Sequence, residues 1–275
     1  MKIEKITSAS NPKIRELLAL MEKSRARREK RLFVVEGRRE TRHCLEAGFI
    51  PRAIFYSPEI TGGTPEDLLE LIPEEAAGNT ALFETSPSAY SKIAYREGTE
   101  GIVCEMHAKD DRGLSRLETG EHPLVVVLES VEKPGNIGAV LRSAEACGAD
   151  ALIVCDPKCD LYNPNLIRAS IGAAFRVPTV ACSSEEAIAW LKEKGIRILT
   201  AQLQDSEPYY DTDMKTGCAI VLGSEDKGLG HAWRNAADCH IRIPMLGRLD
   251  SLNVSVSAAI LLYEAVRQRV GTKTL

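Results

Sequence analysis

Six short apolar runs recur between residues 124 and 244, and they limit the possible folds more than any other feature of the chain. They are LVVVLES (124–130), ALIVC (151–155), VPTV (177–180), IRILTA (196–201), CAIVLG (218–223) and HIRIP (240–244), with helix-like segments between most of them. A run that is apolar throughout, rather than at alternate positions, belongs to a strand buried on both faces, and strand–helix alternation of this kind builds a mostly parallel sheet. The segment SVSAAILLYEAVRQRV (255–270) has apolar residues at helical spacing and becomes basic at its end, which suits a closing helix. The predicted class is α/β.

Upstream the pattern is looser. A helical stretch runs from about Pro12 to Lys30, followed by a strand RLFVVEG (31–37), a helix to Ala47, a strand AIFYS (53–57), a helix near 65–71 and an edge strand ALFET (81–85). These make a small α/β domain over residues 1–107. The stretch 108–122 is polar, carries turn formers and lacks apolar periodicity, so it reads as a linker to a second domain over 123–275.

With 44% hydrophobic and 27% charged residues in 275, the composition is that of a soluble globular protein of about two domains. No apolar run reaches the roughly 18 residues of a membrane span, and the N-terminus MKIEKITSAS lacks a signal peptide's apolar core. No membrane partner is expected, and the reading is cytoplasmic. The eight cysteines are scattered through strand-like and helix-like segments, Cys147, Cys155, Cys182 and Cys218 among them, as small apolar residues in reduced form. Cys155 and Cys159 form the closest pair, and no second pair stands at metal-ligand spacing, so no metal site is expected.

Charge is segregated along the chain. Residues 1–42 hold 13 Lys/Arg against 6 Asp/Glu, whereas the remainder hold 22 against 33. A basic segment on an acidic protein attracts a polyanion locally, although a solvated Lys/Arg helix face has the same composition.

In an α/β sheet ligands bind beyond the carboxyl ends of the strands, and three of these ends are chemically unusual. After LVVVLES comes VEKPGNIGAVLRSAEACGAD, a Gly-bearing turn opening a helix that Gly148 can close. Asn136 stands where it can cap that helix, and Gly138 and Arg142, four apart, share one face. A ribose phosphate can approach over the bare Gly138 to the Arg142 guanidinium; an ordinary cap and a surface ion pair are the plainer alternatives. The G-x-G-x-x-G spacing of dinucleotide binding is absent, which disfavours a redox enzyme using such a cofactor. After CAIVLG comes LGSEDKGLG (222–230), where glycines allow close backbone approach and Glu225 supplies a carboxylate, although this is also common turn chemistry. The third is IPMLGRLDSLNVSVSAAILLYEA (243–265), with Ser251 and Asn253 in a polar turn ahead of an apolar helix, where Ser251 can also serve as an N-cap.

Taken in order, N-I-G-x-x-x-R-S-A, L-G-S-E-x-x-G-L and I-P-M…S-L-N-V-S-V resemble the three motifs of the SpoU/TrmH family of RNA ribose methyltransferases. The resemblance extends to LIRASIGAAFRVPTV (166–180), ITSASNPKIRELLAL and RLFVVEG, and so covers nearly the whole chain. Ser257 departs from the alanine common in the family, and it lies beyond the polar residues of the motif.

The resemblance implies a SPOUT-type domain whose C-terminal part threads a deep trefoil knot that forms the cofactor pocket, preceded by a small L30e-like RNA-binding domain. It implies a homodimer with the active site at the subunit interface, and 2′-O-methylation of a ribose in structured RNA by S-adenosylmethionine. Ribosomal RNA is the expected substrate. The alternatives are transfer RNA, or a non-catalytic RNA-binding or ribosome-assembly factor on the same fold.

Catalytic positions carried over are Asn136, Arg142, Glu225, Ser251 and Asn253. The cofactor is expected at Leu222, Gly223, Glu225 and Gly228 of the second motif and at Ile243, Met245, Leu252 and Asn253 of the third, with Thr200 and Ala201 as adenosine neighbours. The RNA is expected on the basic segment, with Arg25, Arg27, Arg28, Lys30, Arg38 and Arg39 as phosphate contacts. By family analogy Arg142 activates the 2′-hydroxyl, yet a guanidinium with pKa above about 12 is a poor base at neutral pH. Two roles stay open: a base made transiently neutral by desolvation, or a cationic clamp on the developing alkoxide and adjacent phosphate.

Overall fold

A computed structural model describes residues 3–95, 100–109 and 113–270. The order of elements begins β1 (Ile3–Ile6), α1 (Pro12–Glu22), α2 (Ser24–Lys30), β2 (Leu32–Glu36), α3 (Arg38–Glu46), β3 (Pro51–Tyr56). Three single turns follow, α4 (Pro58–Thr61), α5 (Glu66–Leu69) and α6 (Glu74–Ala77), then β4 (Ala81–Thr85), α7 (Pro87–Ile93) and β5 (Ile102–His107). Next come β6 (Leu124–Glu129), α8 (Pro134–Ala146), β7 (Ala151–Cys155), α9 (Pro164–Ser170), β8 (Thr179–Cys182) and α10 (Ser184–Glu193). The chain continues through β9 (Arg197–Ala201), β10 (Glu207–Pro208), β11 (Cys218–Leu222), α11 (His231–Ala236), β12 (Cys239–Arg242) and α12 (Val254–Val270).

The chain forms two compact units, Met1–Asp110 with Asp160–Arg176, and Asp111–Cys159 with Val177–Leu275. In the first, a mixed five-stranded sheet runs β1-β4-β3-β5-β2. The ALFET strand is therefore interior, not at an edge. β1 (IEKI) covers it in parallel register, Ile3 opposite Leu82, and that strand is too short and too exposed to read from its pattern. The helical stretch 12–30 is broken at Lys23, whose backbone is extended (φ −114°, ψ 112°).

The segment 160–176, inside the range read from sequence as the second domain, packs with the first unit. Tyr162 stacks on Phe33 at 4.2 Å between ring centroids, and Phe175 meets Phe49 edge-on at 5.4 Å. Ile167 and Phe175 share a core with Val35, Ile54 and Met106. Arg27 closes the same junction with a two-point ion pair to Asp160, at 2.6 and 3.1 Å.

The second unit is a seven-stranded sheet in the order β10-β12-β9-β11-β6-β7-β8. Every pairing in it is parallel. The central strands are buried from end to end: Val125–Leu128, Ala151–Cys155 and Cys218–Val221 have no exposed surface, as continuous apolar runs require. Val127, Ile153, Ile198 and Val221 form one core with Leu191 and Trp233 of α10 and α11. The last short strand β8 begins two residues later than VPTV suggested. All eight cysteines are free, with Cys44, Cys104, Cys155 and Cys218 buried and Cys147, Cys159, Cys182 and Cys239 half-buried. Among the described residues no helix is long and apolar enough to cross a membrane, and no three His, Cys, Asp or Glu side chains cluster as metal ligands.

Candidate functional site

The three motifs, far apart in sequence, meet at one carboxylate. Glu225, in the loop after β11, accepts hydrogen bonds at Oε1 from Asn136 Nδ2 (2.6 Å) and from Asn253 Nδ2 (2.9 Å). Asn253 Nδ2 also reaches Asn136 Oδ1 at 3.3 Å, and Lys133 Nζ lies 3.1 Å from Glu225 Oε2. A carboxylate only accepts and a side-chain amide can donate twice, so this node orders all three loops at once.

Local sequence explains how each partner arrives. Pro134 opens α8 with Lys133 as the N-cap, which puts Asn136 inside the first turn. Asn136 therefore does not cap the helix, as its position in sequence suggested; its amide is free to turn toward Glu225. Asn253 is the residue that caps α12: its Oδ1 accepts from Ser255 N at 3.0 Å. Ser251 does not take that role, and its hydroxyl donates to Asp250 Oδ1 at 3.4 Å.

The loop carrying Glu225 is closed on itself. Gly228 N donates to Ser224 O at 2.9 Å, with Gly228 at φ +64°. A side chain on Gly223 would bring its Cβ within 2.2 Å of the Gly228 backbone, so only glycine fits there. The far end is held by Glu129 at the end of β6, whose Oε2 accepts from Gly230 N at 2.7 Å. Burial raises the Glu129 carboxyl above its ordinary range, opposed by that bond.

Beside the node lies an open cleft of about 410 Å³, walled by 222–229 and parts of 250–257. Leu222, Leu229, Leu252 and Val254 give it apolar surface, while Glu225, Asp226 and Asp250 give it negative charge. Size and lining fit a nucleoside carrying a cationic centre. Of the expected cofactor positions, Ala201, Leu222, Gly223, Glu225, Gly228 and Leu252 line it. Asn253 instead stands at the node.

Thr200 is fully buried, with its hydroxyl 2.6 Å from His240 Nδ1, and is not part of the cleft wall. Ile243 and Met245 are not in the wall either; they lead into the segment where Leu246 and Leu249 are 99% and 80% exposed. Ser257, the departure from the family pattern, does line the cleft. Gln202 and Arg234 line it too, and nothing in their local sequence marks them, because one follows a strand and the other sits on a short helix.

Arg142 is not brought to the node. Six residues at about 100° each put it roughly 120° around the helix from Asn136. It is exposed, and its guanidinium makes no hydrogen bond or ion pair among the described residues.

The candidate RNA contacts divide. Arg27 is 4% exposed and holds Asp160 and the carbonyls of Leu20 and Met21, so its guanidinium is committed to the interior and unavailable to a phosphate. The others are at the surface: Arg25 pairs with Glu29 (2.6 Å), Lys30 with Glu16 (2.5 Å), Arg39 with Glu40 (2.8 Å) and Arg38 with Asp67. Arg28 is exposed and, among the described residues, unpaired.

Comparison with known proteins returns two family models along the chain. Residues 123–263 match the SpoU rRNA Methylase family, and residues 11–104 match the MRM3-like substrate binding domain. The chain is 27% identical to the 23S rRNA (guanosine(2553)-2'-O)-methyltransferase RlmP of Bacillus subtilis, over 95% of this chain and 98% of that protein. Among solved structures it is similar to an RNA 2'-O ribose methyltransferase, with TM-score 0.82 and 37% identity over 97% of this chain and 100% of the other. It is also similar to an AdoMet-bound rRNA methyltransferase from Sinorhizobium meliloti, with TM-score 0.86 and 27% identity over 96% and 98% of the two chains.

Proposed function

The chain belongs to the SpoU rRNA methylase family, and from that premise we propose that it transfers a methyl group from S-adenosylmethionine to the 2′-hydroxyl of a ribose in ribosomal RNA. The observation that carries this reading is the convergence of Asn136 and Asn253 on Glu225 at the rim of the cleft. Ribosomal RNA is favoured because two relatives matched over nearly their full length, RlmP of Bacillus subtilis and the Sinorhizobium meliloti enzyme, are named for that substrate, and we place the reaction in the cytoplasm with it.

Bound in the cleft, S-adenosylmethionine supplies a methyl group already activated on a sulfonium, with a neutral leaving group that needs no metal. Glu225, Asp226 and Asp250 offer negative charge to a cationic ligand. Gly223 and Gly228 let main chain approach it closely. The Asn136–Glu225–Asn253 node holds the first-motif turn against the cleft, where a ribose has to enter. Fixing the attack geometry in this way is worth roughly 7–11 kcal/mol of barrier when well held.

The absence of the motif arginine from the node points to a second copy. Arg142 faces away from its own chain's node, exposed and unpaired among the described residues, so we propose a homodimer in which Arg142 of one copy serves the node of the other. There it clamps the developing alkoxide and the neighbouring phosphate rather than acting as a base. The strand order supports a knotted C-terminal segment: the chain passes from β11 beyond β9 to β12, then returns to put Asn253 against Asn136. The first unit, similar to a substrate binding domain, serves as the RNA platform, with L30e-like character. Its exposed basic residues Arg25, Arg28, Lys30 and Arg39 and the half-buried Arg38 then meet phosphates, with Arg28 the one that gives up no ion pair among the described residues.

Incubation of the protein with S-adenosylmethionine labelled in the methyl group and with separated ribosomal and transfer RNA tests the reading. Label is expected in ribosomal RNA. Label in transfer RNA alone overturns the substrate, and label in neither favours a non-catalytic factor.

A further inference from the structure

The glycine loop that carries Glu225 ends at Gly230, and a polar cluster outside the three motifs holds that end. Glu129 closes β6, and its Oε2 accepts from Gly230 N at 2.7 Å. A Cβ at Gly230 would lie 2.7 Å from Glu129 Oε1, so the carboxyl sits directly over bare backbone. Behind it stands Ser184, the first residue of α10 and 3% exposed. The Ser184 hydroxyl donates to Asp156 Oδ2 at 2.5 Å and accepts from Trp233 Nε1 at 2.9 Å. Ser184 is also within hydrogen-bonding reach of the Glu129 carboxyl.

Counting protons decides how that last contact is made. A serine hydroxyl has one proton and two lone pairs. Here the proton goes to Asp156, at the short distance of a bond to a carboxylate anion, and one lone pair takes the Trp233 N–H. A bond between Ser184 and Glu129 then needs a proton on Glu129. With Glu129 ionised, two carboxylates would instead face one hydroxyl, and like charges at close range disfavour that state. Burial and then the Asp156 charge oppose the Glu129 anion, while the Gly230 N–H and Arg234 of α11 favour it. The Cys155 thiol, at the end of β7, faces the same carboxyl.

We propose that Glu129 is a positioning residue for the cofactor loop, acting as a neutral acid that donates to Ser184 while its other oxygen accepts from Gly230. The loop 223–230 is thereby hung on Ser184 and on Trp233, which has no exposed surface. When pH rises through the folded value of the carboxyl, the donated bond is lost and the new anion is repelled by Asp156. The loop end loosens and the cofactor binds more weakly. The inference rests on reading the cleft as the cofactor site.

Two measurements on the intact protein test it. The first needs no ligand: the Trp233 indole N–H resonance, assigned with Trp190→Phe, is followed by NMR from about pH 5 to about pH 8, above the ordinary carboxylate range. A transition is expected in wild type and none in Glu129→Gln. The second is the dissociation constant of S-adenosylmethionine by calorimetry over the same range. Glutamine reproduces the neutral acid, with an oxygen for Gly230 and an N–H for Ser184. Glu129→Gln is therefore expected to match wild type at the acid end and to bind roughly three- to tenfold tighter than wild type at the alkaline end, the scale of one hydrogen bond. The ratio of the two constants cancels the titration of the ligand's own amine. Glu129→Leu, which makes neither bond, is expected to bind roughly tenfold more weakly than Glu129→Gln at every pH. If Glu129→Leu does not fold, wild type and the glutamine variant still decide the matter. A Trp233 resonance that titrates alike in both, or a ratio of constants that is flat with pH, overturns the proposal. Wild-type protein that binds no S-adenosylmethionine, while Trp233 still titrates with Glu129, instead refutes the cleft as the cofactor site.

Discussion

Asn253 bonds in two directions with one side chain: its Nδ2 donates to Glu225 Oε1 at 2.9 Å while its Oδ1 accepts from Ser255 N at 3.0 Å and caps α12. The two roles separate by substitution. Asn253→Asp keeps an acceptor for the cap but sets a second carboxylate against Glu225, so the cap's share of stability is expected to hold while methyl transfer falls by at least about 100-fold, the scale of losing a well-placed polar group. Asn253→Ala loses both, adding a stability loss of about 1 kcal/mol from the cap. Equal activity in wild type and Asn253→Asp, measured by label transfer, contradicts the role given to the node.

Arg142 and Asn136 are expected to act on different copies of the chain. Arg142→Ala should lose turnover while calorimetric binding of S-adenosylmethionine is retained. Asn136→Ala should also be inactive alone. Mixing the two inactive proteins, with exchange of subunits, is expected to restore activity, because one site of each mixed dimer then has an intact Asn136 and an intact Arg142. No recovery, in a mixture shown by native mass spectrometry to contain the mixed dimer, rules out the shared site.

Arg27 and Arg28 are neighbours in sequence with opposite fates. Arg27 is buried against Asp160, and removing one partner of a buried pair costs about 3–5 kcal/mol, so Arg27→Ala is expected to lower the denaturation midpoint strongly. Arg28→Ala should leave stability within about 0.5 kcal/mol. It should weaken RNA binding and lower the slope of log K against log salt by about 1. A stable Arg27→Ala protein, or an unchanged salt slope for Arg28→Ala, goes against this division.

Stability should also depend on pH through Glu105. It is 3% exposed, and burial raises its carboxyl to about 7, partly offset by Arg52 Nη1 at 3.0 Å. Its folded pKa lies above the ordinary 4.5, so the folded state holds the proton more tightly. Its contribution is most favourable below the unfolded pKa and is lost as pH rises through the folded value. The loss is at most roughly 3–4 kcal/mol. Glu105→Gln should remove this slope, so that the variant gains on wild type between pH 5 and pH 8 in chemical denaturation. Parallel stability curves over that range contradict it.

Much of the second unit was legible because its strands are buried on both faces, and a run such as LVVVL admits few other readings. The first unit was harder. Ile3–Ile6 has three exposed residues of four, so no apolar pattern announced a strand, and the strand it covers was read as an edge. The packing of 160–176 with the first unit rests on aromatic contacts between Phe33, Phe49, Tyr162 and Phe175, which have no signature in linear order. At the site, motif spacing led to Asn136, Glu225 and Asn253 but not to their mutual bonds, and it misassigned the cap that Asn253 supplies. Glu129, Gln202 and Arg234 were invisible, since each matters through what it faces and not through its neighbours in the chain. Arg27 was misread because composition counts a cation without saying whether it points outward.

The central claim is methylation of a ribose hydroxyl in ribosomal RNA, and a 2′-O-methyl group blocks alkaline cleavage of the adjacent phosphodiester. Ribosomal RNA lacking its modifications, incubated with the protein and S-adenosylmethionine and then mapped by partial alkaline hydrolysis, is the most direct measurement. A discrete position newly resistant to cleavage, present with wild-type protein and absent with Asn136→Ala, is the predicted result. Label that enters the RNA on a base, with the ladder of cleavage unchanged at every position, would contradict it.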